Sequence, residues 1–200
     1  MKKDLNYKNE FEDGWPGGEG VCGKGSLPEV AHISGERFKS ICRDWAKKNG
    51  RPPRITEIGC GDMVWHGKTI PTNLGYQAID LHRRDTWERW ERRGVEFVEG
   101  EASRLYIQES DIAIARAVFI HLSNDAISAV LQNLREYGVP ILVAESFAET
   151  SNEDRFQGDG DFFRLGSPCD LTADPFNLEL IEGPKGGHPR MMVFSLSSDN

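Results

Sequence analysis

The sequence predicts an α/β domain built on an open, mostly parallel sheet with helices on both faces, and three observations carry that prediction. Ile55-Thr56-Glu57-Ile58-Gly59-Cys60-Gly61-Asp62 reads as a buried strand that ends abruptly in a glycine-rich turn with acids on either side. A second apolar run, Tyr76-Gln77-Ala78-Ile79-Asp80, ends in an acid about twenty residues after that turn. Further short strand patterns alternate with helical patterns down the chain, the order from which parallel sheets are built.

The turn and the second acid belong to one chemical reading. Two glycines around one residue let the backbone turn tightly and approach a ligand with no Cβ in the way, and ligands of open α/β sheets bind at strand ends. An acid at the end of the next strand, here Asp80, is placed to meet a ribose hydroxyl. No Gly-Lys-Ser/Thr follows the turn, so it is not a phosphate loop. Trp65 stands where the dinucleotide pattern needs a third glycine, which points to a nucleoside without a pyrophosphate.

Composition sets the outer limits. The 200 residues suit one domain spanning 1–200, large enough to bury a core without staples. A hydrophobic fraction of 38% and a mean hydropathy of −0.52 fit a soluble, cytoplasmic protein with no membrane partner, since no apolar run is long enough to span a bilayer and Met1-Lys2-Lys3-Asp4 does not open a signal peptide. Cys22, Cys42, Cys60 and Cys169 are far apart with no Cys-x-x-Cys pair, so they read as reduced thiols rather than a zinc or disulfide framework. The net charge of −8 opposes the counterion-release term behind most nucleic-acid affinity, so a small-molecule partner is favoured; oligomeric state is not legible.

Taken in order, the chain opens with a polar segment to about Asp13, followed by a glycine-rich run from Gly14 to Ser26 that can hold neither a helix nor a central strand. That run is a flexible linker or a shaped loop over a ligand, and its Trp15 and Cys22 favour the loop. Val30, Ile33, Phe38, Ile41, Cys42, Trp45 and Ala46 predict a packing helix over 29–49, stopped at Gly50. Pro52-Pro53 forces an extended approach to the first strand. A helix should begin at Asp62, but the stretch from His66 to Pro71 breaks it early, and His66 reads as a loop residue rather than a ligand.

Residues 83–93 predict a charged helix with Trp87 and Trp90 packing on one side and Arg83, Arg84, Arg89, Arg92 and Arg93 on a solvated face. Strands follow at 95–98 and 110–116, then a helix over 124–137 capped by Ser123 or Asn124 and ended by Gly138. A fifth strand, 139–144, ends in Glu145-Ser146-Phe147 at the sheet edge where acceptors bind. The Asp spacing in Gly158-Asp159-Gly160-Asp161 lacks the remaining ligands of a calcium loop, so no metal is expected. Two last strands, 178–181 and 191–196, form a hairpin that closes an antiparallel edge.

Glu57-Ile58-Gly59-Cys60-Gly61-Asp62 resembles the first motif of class I methyltransferases that use S-adenosylmethionine (SAM). Asp111 to Leu122, with Arg116, Val118 and His121 in step, is similar to that family's fourth motif, and the glycine-rich run of residues 14–26 resembles a lid over the methionine end of SAM. Phe162-Phe163-Arg164-Leu165 and Asp174-Pro175-Phe176 resemble a tail found in a subset of these enzymes. The resemblance implies a seven-stranded Rossmann-like sheet with its last strand antiparallel. It also implies SAM as the cofactor, held by Glu57, Gly59, Cys60, Gly61, Asp80, Glu101, Ala102 and Arg116. Glu101 would accept from the adenine amino group, being preferred to Glu99 because its Gly-acid-Ala order matches, and Ala102 would offer its backbone amide.

The expected function is methyl transfer to a small-molecule or sugar-type oxygen or nitrogen. Phe119, Glu145 and Arg164 are candidate acceptor contacts, and His121 and Arg116 candidate catalytic groups. His121 is either a structural histidine at the start of a helix or an acid/base group, and Arg116 either meets a carboxylate or anionic acceptor or forms a surface ion pair. No Asp-Pro-Pro-Tyr, Asn-Pro-Pro-Tyr or Pro-Cys motif occurs, which disfavours the DNA amino- and C5-methylating enzymes. A nucleic-acid-modifying enzyme and a SAM-binding protein without transfer activity remain the alternatives.

Overall fold

The computed structural model describes residues 28–63, 75–148, 150, 152–153, 168–184 and 191–197. The glycine-rich run of residues 14–26, Cys22, His66, the Gly158–Asp161 segment and Arg164 lie outside the described residues.

Helix α1 spans Pro28–Asn49 and carries Lys47 and Lys48 in its last turn, where cations complement the helix dipole. It stops as the sequence requires: Gly50 takes φ +71° and its amide donates to the Ala46 carbonyl at 2.8 Å. The strands are β1 (Ile55–Ile58), β2 (Tyr76–Asp80), β3 (Val95–Glu99), β4 (Ile112–Ala115), β5 (Ile141–Glu145), β6 (Glu179–Glu182) and β7 (Met191–Ser195). Helix α2 (Trp87–Glu91) precedes β3, and a 3-10 turn (Phe119–His121) leads into α3 (Asn124–Glu136).

The seven strands form one sheet in the order β3-β2-β1-β4-β5-β7-β6. Neighbours from β3 to β5 pair in parallel, whereas β7 is antiparallel to both β5 and β6. The final hairpin does form the far edge, with its reversed strand inserted between β5 and β6. Outermost β6 leaves Leu180 and Ile181 exposed.

Alternation along the strands divides the core into two layers. Ile58, Ile79, Ala113, Ala115, Leu142 and Ala144 face the side covered by Ile127, Val130, Leu131 and Leu134 of α3. Ile55, Tyr76, Ala78, Ile112, Ile114 and Val143 face the side covered by Phe38, Ile41 and Cys42 of α1 and by Trp87 and Trp90 of α2. Each fully buried Leu- or Ile-sized side chain contributes about 1.5–3 kcal/mol, so both layers are substantial. Cys42, Cys60 and Cys169 are buried thiols outside any disulfide, and burial pushes the Cys42 thiol up to about 12. Among the described residues no helix is long and apolar enough to cross a membrane.

Boundaries shift where backbone bonds are claimed by something else. The helix expected over 83–93 is regular only from Trp87 to Glu91, because Thr86 donates its hydroxyl to the Asp62 carbonyl and Gly94 turns the chain at φ +88°. Its arginines lie on an exposed face as expected, apart from half-buried Arg84, and Arg83 also lies over the Trp87 ring and Arg89 and Arg93 over that of Trp90. Strand β5 starts two residues later than predicted. The Val139 amide is spent on the Leu134 carbonyl at the end of α3, and Pro140 has no amide to give a ladder. Ser123 is the N-cap of α3, its hydroxyl accepting from the Ala126 amide at 3.2 Å.

Candidate functional site

Strands β1 and β4 are neighbours, yet the chain proceeds from β1 toward β2 and β3 and from β4 toward β5. Their carboxyl ends therefore flank the switch point where open α/β sheets form a crevice. The predicted residues of the described chain fall at the carboxyl ends of β1 to β5.

At the exit of β1 the amides of Gly59 and Cys60 both donate to the Ile79 carbonyl, at 2.8 and 3.1 Å, which ties the turn to β2. Gly59 sits at φ +67° and Gly61 at φ +55°, conformations that disfavour side chains. A Cβ on Gly59 would lie 2.4 Å from Cγ2 of Val118, in the segment leaving β4. Gly59 is thus required first by the contact between two strand exits. Gly61 is gripped on both sides of its residue: its amide donates to Asp80 Oδ2 at 2.8 Å, and its carbonyl accepts from Trp87 Nε1 at 2.7 Å.

Asp80 therefore connects the end of β2 to the glycine turn. Burial raises its carboxyl above the usual 3.8, with the Gly61 amide and the Arg84 charge pulling the other way. Glu57 has a different setting. It is 1% exposed, on the face covered by α1 and α2, and Oε2 accepts the Tyr76 hydroxyl at 2.7 Å. Burial, and then the Glu57 charge, push the Tyr76 phenol well above its ordinary range. Cys60 is buried in that same layer.

Beyond β3, the Gly100 amide donates to the Asp80 carbonyl at 2.8 Å and begins a turn through residues 101–105. Glu101 is exposed and pairs with Arg104 at 3.2 Å. Ala102 is half-buried, and its carbonyl accepts from Nδ2 of Asn133 on α3 at 2.7 Å.

Beyond β4, Arg116 is buried and its Nε–H donates to the Ser34 hydroxyl of α1 at 3.0 Å. Burial replaces the surface-ion-pair reading of Arg116. Ala117 turns at φ +53°, after which Phe119 enters the α3-side core at 2% exposure. Phe119 is thus placed for packing rather than for open contact with an acceptor. His121 is half-buried at the end of the 3-10 turn. Glu145 is half-buried at the carboxyl end of β5, inside the sheet rather than at its lateral edge, and the following residues join the next segment through Phe147 N–H to the Cys169 carbonyl at 2.9 Å.

Four contributors have roles at the site that the sequence does not reveal. Ser34 carries no motif, and Trp87, whose spacing predicts packing alone, is 0% exposed and also holds Gly61. Val118 stands in the sequence only as a motif position, yet its side chain is what requires glycine at position 59. Asn133 did leave a signal: it lies one turn beyond Val130 on the border of an apolar stripe, where a polar residue needs a partner.

Strand order, a reversed β7 and acid-bearing strand ends together define the class I methyltransferase fold. No protein-family model matches the chain, and no curated protein matches it in sequence. Among solved structures it is similar to the bifunctional kinase-methyltransferase WbdD, at TM-score 0.55 and 18% identity over 85% of this chain; it spans only 40% of WbdD. It is also similar to Burkholderia thailandensis 1,6-didemethyltoxoflavin-N1-methyltransferase with bound 1,6-didemethyltoxoflavin and S-adenosylhomocysteine, at TM-score 0.51 and 18% identity over 84% of this chain and 90% of that one. TehB from Haemophilus influenzae matches at TM-score 0.50 and 16% identity, over 78% of this chain and 61% of that one.

Proposed function

We propose that this protein is a SAM-dependent methyltransferase acting on a small-molecule or sugar-type oxygen or nitrogen. The observation that carries the proposal is the Asp80 carboxylate, fixed to the Gly61 amide at 2.8 Å where β1 and β2 end. An acceptor-rich carboxylate beside a Cβ-free turn fits a ribose with adjacent hydroxyls, and one of its oxygens is already oriented by the turn. A neighbouring structure holding S-adenosylhomocysteine on the same fold supports the choice of nucleoside. The small-molecule class is supported by the net charge of −8 and by the 1,6-didemethyltoxoflavin bound in that neighbour.

When bound, SAM supplies a methyl group already activated by its sulfonium. The protein's work is then mainly alignment and exclusion of water. Asp80 would orient the ribose, Glu101 and the Ala102 amide would read the adenine, and Arg116, anchored to α1 through Ser34, would bring positive charge to the crevice. His121 would take the proton from an oxygen or nitrogen acceptor that needs a base.

Titration calorimetry with S-adenosylhomocysteine, followed by methyl transfer from labelled SAM across metabolites, sugars, peptides and nucleic acids, tests this reading. Binding in the micromolar range with transfer to a small molecule is expected. Absence of binding sinks the proposal, binding without transfer to any acceptor makes the protein a silent SAM binder, and salt-sensitive transfer to RNA or DNA moves it to nucleic-acid modification.

A further inference from the structure

We infer that Asn133, on α3 and outside every motif, is the positioning residue for the base-reading loop after β3; the inference rests on the SAM reading above. Asn133 is 7% exposed, and its side-chain amide nitrogen donates to two carbonyls of one loop, that of Ala102 at 2.7 Å and that of Leu105 at 3.0 Å. Both of its N–H groups are thereby used on backbone rather than on another side chain. The loop they hold is short: Gly100 donates to the Asp80 carbonyl, Arg104 N–H donates to the Glu101 carbonyl at 2.9 Å, the exposed Glu101 pairs with Arg104 at 3.2 Å, and Ala102 and Leu105 rest against the α3-side core.

The geometry has a direct chemical consequence. The Ala102 carbonyl belongs to the same residue whose amide would face an adenine ring nitrogen, and Glu101 immediately precedes it. Fixing that carbonyl from below restricts the rotation of the Glu101-Ala102-Ser103 peptides, so the donor and the acceptor that read the base stay in register. Adenine presents an amino donor and a ring acceptor to such a pair, whereas hypoxanthine presents a carbonyl and a ring N–H, reversing both. Discrimination between the two bases therefore reports on loop position, and a generally loosened protein that keeps the loop placed does not lose it.

The test compares S-adenosylhomocysteine with S-inosylhomocysteine by calorimetry on the wild type, Asn133→Ala, and Gln108→Ala as a control. Gln108 makes a comparable side-chain bond, to the Ile55 carbonyl at 3.0 Å, outside the proposed site. The wild type should prefer the adenine ligand by at least about tenfold, the scale of one well-made hydrogen bond. Asn133→Ala should lower affinity for the adenine ligand roughly tenfold and shrink the preference below about threefold, with Gln108→Ala retaining it. An Asn133→Ala protein that keeps the full preference overturns the inference while leaving SAM binding intact, and equal loss in Gln108→Ala overturns it as well. Failure of the wild type to bind either ligand overturns both this inference and the function on which it rests. If Asn133→Ala does not fold, Asn133→Leu, which keeps the side-chain shape but has no donor, is measured against the same two outcomes.

Discussion

Tyr76 donates its hydroxyl to Glu57 across 2.7 Å inside the layer between the sheet and α1, with the two residues 2% and 1% exposed. An acid that the motif assigns to the cofactor is thus also held beneath the glycine turn. Tyr76→Phe leaves a buried carboxylate short of a donor and should destabilise the fold by about 1–3 kcal/mol in urea unfolding. The phenol is raised above its ordinary 10.0, so its contribution is complete below that pH and is lost as pH rises through the folded value. Tyr76→Phe should therefore also flatten the alkaline decline in stability, and an unchanged alkaline limb would assign that decline to other groups.

The Asp80 carboxyl is raised by burial, which makes its charge unfavourable to folding: its stabilising contribution is present below 3.8 and is lost as pH rises through the folded value. Asp80→Asn keeps an oxygen for the Gly61 amide and removes that charge. Melting at neutral pH should show equal or higher stability, while calorimetry shows S-adenosylhomocysteine binding at least about tenfold weaker, as expected for a lost charge-assisted bond. Retained affinity would place the ribose elsewhere.

The two glycines of the turn should separate. Gly59→Ala meets Val118 and holds a positive φ, so a stability loss of about 1–3 kcal/mol is expected, partly restored in a Gly59→Ala/Val118→Ala double variant. Gly61→Val should instead abolish S-adenosylhomocysteine binding with a folded far-UV spectrum. Normal ligand binding by Gly61→Val would make this turn structural only.

His121→Ala tests acceptor chemistry once an acceptor is in hand. A drop in turnover of about a hundredfold or more, with S-adenosylhomocysteine affinity unchanged, is expected of a general base. A loss below about threefold returns His121 to a structural place at the start of α3. Parallel loss of ligand binding makes it part of the cofactor wall.

By itself the sequence determined the strands, the helices and the ends where chemistry is possible, because apolar periodicity, proline, glycine and caps act over a few residues. Gly50 and Gly138 both stop helices at φ +71°, and Ser123 caps α3, all through bonds spanning no more than five residues. Motif spacing brought Gly61 and Asp80 into one hypothesis nineteen positions apart, and the parallel β1–β2 register delivers that contact. Only the tertiary structure decided that Gly59 answers to Val118, that Arg116 is buried against Ser34 and that Asn133 holds the Ala102 loop. Those contacts join segments distant in the chain, and their existence depends on how α1 and α3 seat on opposite faces of the sheet, a matter of three-dimensional packing that no local pattern encodes.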